Sequence, residues 1–290
     1  MKNELRDLLE KVYVQPIEIE NTLSVSGGCI NETLLLSLSN GERVFVKHNN
    51  QPPPDFFRRE AEGLQLLGRA RGPRVPKVLG LPNQPNPRFL ILEYVDEGSP
   101  GGDFYERFAR ALAGLHHMSH EFYGLDHDNF IGSTVQKNKP ETDPVVFFRE
   151  HRLRFQQKLA RERGLLPSNV DHRLDRLCDK LELLLKVEGE RPALLHGDLW
   201  SGNYFADSNG EPCIFDPAAY FGLREADLAM TELFGRLPQR FYDAYHEAFP
   251  LNPGYEDRKK IYNLYHLLNH VNLFGSSYLS SVKSIVNRFV

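Results

Sequence analysis

The chain has 290 residues and a formal net charge of −4, which allows one or two domains with a real core and gives no general nucleic-acid footprint. No apolar run approaches the length of a membrane span, and the N-terminus MKNELRDLLEKV lacks a signal-peptide h-region. Cys29, Cys178 and Cys213 make neither a disulfide framework nor a metal spacing, so the expectation is a cytoplasmic protein with no nucleic-acid or membrane partner.

Leu5, Leu8, Leu9 and Val12 share one helical face, which predicts a short helix that packs on a sheet. Leu34, Leu36 and Leu38 alternate, so residues 32–39 read as a strand. Asn40-Gly41 marks a hairpin, and Arg43 to Lys47 is the return strand. Gly27 and Gly28 then fall in the turn between the first two of three antiparallel strands. A glycine pair there lets backbone N–H groups approach phosphate oxygens; the plain alternative is an ordinary turn. Lys47 ends an apolar alternation, which sets it apart from a solvated strand lysine.

Pro52 to Pro54 stop the sheet. Asp55 is the expected N-cap of a helix over 56–70, whose apolar stripe is Phe57, Ala61, Leu64 and Leu67. Glu60 lies beside that stripe and is the expected partner of Lys47, with Glu62 as the rival. A short extended segment (75–79) and a strand (88–93) follow. Asp96 to Gly102 form a polar, glycine-rich break, and the expected domains are 1–95 and 96–290.

Beyond the break the chain turns helical. His116, His117 and His120 have no acidic partner at ligand spacing and read as core or surface histidines. Residues 126–144 form a loop long enough to suggest function. Single helices are expected over 145–162 and 171–187. The basic run at 149–154 reads as a solvated face that could meet an anionic group.

The stretch LLHGDLWSGNYFADSNGEPCIFDPAAY (194–220) carries the most chemistry. Leu194-Leu195 end a short apolar run, and His196-Gly197-Asp198 leave it. Asn203 follows Asp198 by five positions. Asn209-Gly210 reads as a two-residue turn, after which Cys213-Ile214-Phe215 deliver Asp216 to the same end. Two carboxylates and one amide converge there, a hard-oxygen set suited to Mg²⁺. Asp, Asn five residues on, then Asp after a hairpin is the kinase order. After it, 224–234 reads as a helix bearing Asp227, a candidate to bond the backbone of the Asp198 loop. Further helices span 240–249, 255–273 and 278–289.

Together these segments resemble the fructosamine kinase (ketosamine-3-kinase) family, of protein-kinase-like, aminoglycoside-phosphotransferase-like fold. The resemblance rests on G-G-x-I-N at 27–31, V-K at Lys47, F-x-x-E-A at 57–61, N-F-I-G at 129–132 and F-F-R-E-x-R-L at 147–153. It continues with H-G-D-L-W-S-G-N at 196–203, D-P-A-A-Y-F-G-x-R-E-A-D-L-A-M-T-E-L-F-G at 216–235 and N-H-x-N-x-F-G at 269–275. One departure is Asp143-Pro144-Val145, where the family carries Asp-Trp before Phe-Phe. The fold implied is α+β and bilobal, a small N-terminal antiparallel sheet lobe with one helix and a larger, mainly helical C-terminal lobe. The activity implied is ATP- and Mg²⁺-dependent phosphorylation of the 3-hydroxyl of a ketosamine, free or on a protein lysine. By the resemblance Gly27 and Gly28 cover the phosphates, Lys47 held by Glu60 neutralises them, and backbone at Glu93 and Val95 reads the adenine edge. Asn203 and Asp216 hold Mg²⁺, and Asp198 is the base. Trp200 and His270 are the candidates for the sugar side. Cys29 beside the glycine pair is a candidate for oxidation that inhibits the enzyme or links two chains. The rivals are another small-molecule kinase, of aminoglycoside or choline type, and an inactive nucleotide-binding scaffold.

Overall fold

Alternation along two strands decides how the N-terminal sheet is covered. The computed structural model describes residues 2–25, 31–185 and 189–290. Helix α1 (Lys2–Tyr13) precedes β1 (Ile19–Val25), β2 (Glu32–Leu38) and β3 (Arg43–His48); α2 (Phe56–Leu67), β4 (Val78–Gly80) and β5 (Phe89–Glu93) follow. The five strands pair antiparallel in the order β1-β2-β3-β5-β4. Val44, Val46, Phe89 and Ile91 point to one face and pack with Leu5, Leu9 and Ile17 beneath α1. Phe45, Leu90 and Leu92 point to the other and pack with Phe56, Phe57, Ala61 and Leu64 of α2. The period of two therefore puts Lys47, two residues after Phe45, on the side of α2.

The C-terminal part is mainly helical, with short strand pairs inserted. Helix α3 (Phe104–His116) leads to the small hairpin β6 (Asn129–Ile131) and β7 (Thr134–Gln136), which lies inside the long loop read from sequence. Next come α4 (Pro144–Phe147), a π-helical stretch (Phe148–Arg154), α5 (Phe155–Glu162), α6 (Ser168–Asp179) and α7 (Leu181–Leu185). Strands β8 (Ala193–Leu195), β9 (Tyr204–Ala206), β10 (Pro212–Ile214) and β11 (Tyr220–Gly222) build the central loops, with β8 paired to β11 and β9 to β10. Helices α8 (Glu225–Leu233), α9 (Gln239–Ala248), α10 (Tyr255–Phe274) and α11 (Leu279–Phe289) complete the chain. Helix α10, 20 residues long, is buried along most of its length. No helix among the described residues is long and apolar enough to cross a membrane.

Several expectations need correction. Both Asn-Gly turns close strands, but through three-residue loops. Leu38 N–H bonds Glu42 O and Asp207 N–H bonds Glu211 O, with Gly41 (φ 83°) and Gly210 (φ 75°) supplying the left-handed residue. That is the type I turn with a glycine bulge, in place of the two-residue primed turn. Asp55 precedes α2 but makes no cap bond, because its own backbone is left-handed (φ 62°). The helix expected over 145–162 is wound as a π-helix in its middle; it starts at Asp143, whose carboxylate accepts from Val145 and Val146 N–H. The helix expected over 171–187 breaks at Lys180, between α6 and α7. Arg152, read as part of a solvated basic face, is wholly buried.

Candidate active site

Strand β8 is fully buried, and the chain leaves it as His196-Gly197-Asp198. Asp227 on α8 accepts the N–H groups of His196 (2.7 Å) and Gly197 (2.9 Å) and so fixes the turn. Gly197 has φ 83°, and a Cβ there would stand 2.1 Å from Ala218 O, so no side chain fits. His196 Nε2 donates to Phe215 O (2.9 Å), while its Nδ1 accepts from Asp198 N–H (3.3 Å). One neutral imidazole thus spans the residue before Asp216 and Asp198 itself. Behind it, His116 Nε2 donates to Asp227 (3.3 Å), and its Nδ1 accepts from Tyr245 OH (2.7 Å). Burial is the main force that lowers the pKa of both histidines. Burial also raises Asp227, but the bonds and charges of His116, then His196 and the Gly197 N–H, outweigh it and hold the carboxyl below its ordinary range.

Lys47, Glu60, Asp198, Trp200, Asn203, Asp216 and His270 line one cleft of about 240 Å³. Lys47 Nζ donates to both Glu60 and Asp216. Glu62 turns away, to Arg59 (2.8 Å) and His127 (3.3 Å). Burial opposes the Lys47 charge, yet Asp216 and Glu60 outweigh it and raise its pKa, so the ammonium stays charged. Burial raises the Glu60 carboxyl, Lys47 pulls it down and Asp216 adds to the rise. Asp198 is pushed up to about 7, first by burial and then by Asp216 and Asp227, against the Asn203 bond that lowers it. Its side chain keeps 23% of its surface exposed, so solvent tempers that rise.

Asn203 Nδ2 donates to Asp198 O (2.8 Å), which orients its Oδ1 as an acceptor. Asp216 has φ 56° and a 39% exposed side chain. These are hard oxygen donors. Among the described residues no group of three or more His, Cys, Asp or Glu side chains could hold a metal alone. A cation held by this pair would need its other ligands from elsewhere, such as phosphate and water, a donor set that suits Mg²⁺. At the outer lip Trp200 is 38% exposed and meets Phe234 edge-on. His270 Nδ1 donates to His266 O (2.8 Å), so Nε2 is the ring's acceptor.

Glu93 and Val95 do not line the cleft. The Glu93 carboxylate bonds Arg74 (2.8 Å) and Lys77 N–H (3.1 Å). Gly27, Gly28 and Cys29 lie outside the described residues. Sequence reasoning missed His266, whose Nδ1 is 3.8 Å from an Asp198 oxygen, and it gave no task to His196. The His-x-Asp spacing was the available signal for His196. For His266, buried on a buried helix, there was none.

The fructosamine kinase family model matches residues 1–290. A probable ketoamine kinase of Synechocystis sp. is 42% identical over 277 residues, covering 94% of this chain and 92% of that one. A chloroplastic protein-ribulosamine 3-kinase of Oryza sativa subsp. japonica is 40% identical over 278 residues, with 94% and 80% covered. The crystal structure of a candidate fructosamine-3-kinase from Haemophilus somnus superposes with a TM-score of 0.90 at 31% identity, covering 100% of this chain and 98% of that one. These matches give the α+β architecture its place among kinase-like folds.

Proposed function

The chain belongs to the fructosamine kinase family, and from that membership we propose that it moves the γ-phosphoryl group of ATP to the 3-hydroxyl of a ketosamine, with Mg²⁺. The acceptor is a small glycated amine or a glycated protein lysine; the ribulosamine named for the rice relative is the first to try. The observation that carries the reading is one cleft in which Lys47, held by Glu60, faces Asp198, Asn203 and Asp216. Phosphoryl transfer needs positioning and charge neutralisation more than covalent help from the protein.

In this reading residues 1–95 carry the nucleotide side, with Gly27 and Gly28 over the phosphates and the Glu93–Val95 backbone at the adenine edge. Residues 96–290 carry the chemistry. Lys47 meets the α- and β-phosphate oxygens, and Glu60 keeps its ammonium aimed. Asn203 and Asp216 would hold Mg²⁺, which supplies charge neutralisation on the phosphates when bound. Asp198 accepts the acceptor hydroxyl's proton as that oxygen bonds phosphorus and the bond to the ADP oxygen breaks. A carboxyl raised toward neutrality is a better base than an ordinary aspartate. Trp200 offers an indole face to sugar C–H groups, and His270 Nε2 accepts from a hydroxyl or amine. Cys178 and Cys213 are buried free thiols, which suits a reducing cytoplasm.

The test is ADP release from ATP-Mg²⁺ with ribulose-lysine, fructose-lysine, choline and an aminoglycoside as acceptors. Turnover with ketosamines alone is expected. Turnover confined to choline or an aminoglycoside would overturn the acceptor, and ATP binding without any turnover would overturn the transfer.

A further inference from the structure

Two sequence motifs, Asn129–Gly132 and Phe147–Leu153, have no task in the reading above. The structure brings them together. The β6–β7 hairpin carries Phe130, whose ring lies 5.1 Å from that of Phe56 on α2. Beside it His127 Nε2 stands 3.3 Å from Glu62, nearly two turns along the same helix. Helix α2 also meets the segment after Asp216, where a Cβ on Gly63 would sit 3.5 Å from Pro217 Cγ.

The back of the hairpin is tied to that same segment by buried amides. Asn129 Nδ2 donates to Ala219 O (2.8 Å), and Gln136 Nε2 donates to Ala218 O (2.9 Å) and to Asn129 Oδ1 (2.8 Å). Asn138 Nδ2 donates to Asn129 Oδ1 (2.7 Å), and Arg152 donates to Asn138 Oδ1 (2.9 Å). Arg152 is fully buried and, among the described residues, forms no ion pair with a carboxylate. Its guanidinium lies 3.9 Å over the Tyr220 ring and 4.6 Å over that of Phe147. A buried network this densely bonded is stiff, although Arg152 Nε itself has no hydrogen-bond partner among the described residues. By contrast, α2 meets the sheet through apolar side chains, which tolerate small sliding, and through the Glu60–Lys47 pair itself.

We propose that Phe130 is a positioning residue: the β6–β7 hairpin, braced by Arg152, holds α2 so that Glu60 stays on Lys47 during phosphoryl transfer. Kinases need that ion pair in place for turnover. In this chain the anchor that keeps it there is part of the fold. The inference rests on the kinase reading of Lys47 and Glu60.

The test is a double-mutant cycle with ATP as the varied substrate. The proteins are wild type, Phe130→Ala, Phe130→Leu, Glu60→Gln and the Phe130→Ala/Glu60→Gln double variant. Melting curves and displacement of a fluorescent nucleotide accompany the kinetics. Phe130→Ala is expected to lower kcat/KM for ATP about tenfold, with Phe130→Leu recovering most of it. In the Glu60→Gln background Phe130→Ala should cost less than about threefold more, since its target is already gone. Arg152→Met, remote from the cleft, should show the same dependence on Glu60. If Phe130→Ala does not fold, Phe130→Leu and Arg152→Met are read in its place. Equal costs in both backgrounds would overturn the proposal. So would an effect confined to the acceptor's KM, which would make Phe130 only a wall of the acceptor pocket. Failure of the ketosamine reading shows separately, as wild type that turns over none of the ketosamines.

Discussion

At the scale of single residues, the cleft works by setting protonation states through burial and pairing. Asp198 is predicted to be indispensable to turnover and nearly irrelevant to nucleotide affinity. Asp198→Asn should lose about 10²-fold or more in kcat while fluorescent-nucleotide binding stays as in wild type; near-normal turnover would remove Asp198 from the role of base. The buried histidines set the response to acid. His266 is pushed down to about 3, chiefly by burial, and His116 and His196 are lowered for the same reason. Below about pH 6.5 the unfolded chain binds protons that the fold refuses. The contribution to stability is therefore whole above that pH and is lost as pH falls toward the folded values. His266 contributes a slope approaching about 1.4 kcal/mol per pH unit there, and His116 and His196 add to it in the same direction. Urea midpoints should drop between pH 7.5 and 5.5, and His266→Gln should shed one histidine's share of that slope. An unchanged slope would show that His266 binds its proton as readily in the folded protein as in the unfolded chain.

At the scale of elements, two glycines are predicted to behave oppositely. A Cβ on Gly98 would sit 2.4 Å from Asp207 O, where the linker lies against the end of β9 and Gly98 N–H bonds Ala206 O (2.8 Å). Gly98→Ala must push the linker off the hairpin. It should cost about 1–3 kcal/mol and raise the KM for ATP, read by melting and kinetics. Gly63, inside α2, has room: the nearest atoms to a Cβ are 3.5 and 3.7 Å away. Gly63→Ala should gain about 0.5–1 kcal/mol from helix propensity with turnover unchanged, and a loss of stability would mean that α2 is packed more tightly than these distances show. The elements also show what sequence can convey. Lys47 was legible because strand alternation is local, and Glu60 because a helical stripe is. The Asn-Gly pairs marked turns correctly, but loop length depends on which flanking carbonyls the bends can reach. Arg152 looked solvated because its neighbours Arg149 and Arg154 partly are; the π-helical winding and the rings of Phe147, Tyr220 and Tyr265 bury it.

At the scale of the whole molecule, the two halves are stitched by contacts that no local pattern reveals. Arg74 bonds Glu93 (2.8 Å) and Asp207 (2.6 Å), and its backbone pairs with Cys213 of β10. Arg43 bonds Asp96 (2.6 Å). These partners lie far apart in the chain, so the sequence, in which 96–102 read as a break, showed no sign of these ties. The convergence of Lys47, Asp198, Asn203 and Asp216 on one cleft was legible because each motif is short.

The double grip of Lys47 has one more consequence. Lys47 Nζ bonds Asp216 as well as Glu60. Under the proposed function, a phosphate oxygen that bonds this ammonium would compete with Asp216 for it. Binding of the nucleotide would then free the Asp216 carboxylate for the metal, so that the two events would be a single exchange. Asp216→Asn should accordingly bind ADP more tightly than wild type in metal-free buffer while losing turnover. Weaker metal-free binding by that variant would show that Asp216 helps to hold the nucleotide site open and is no competitor for it.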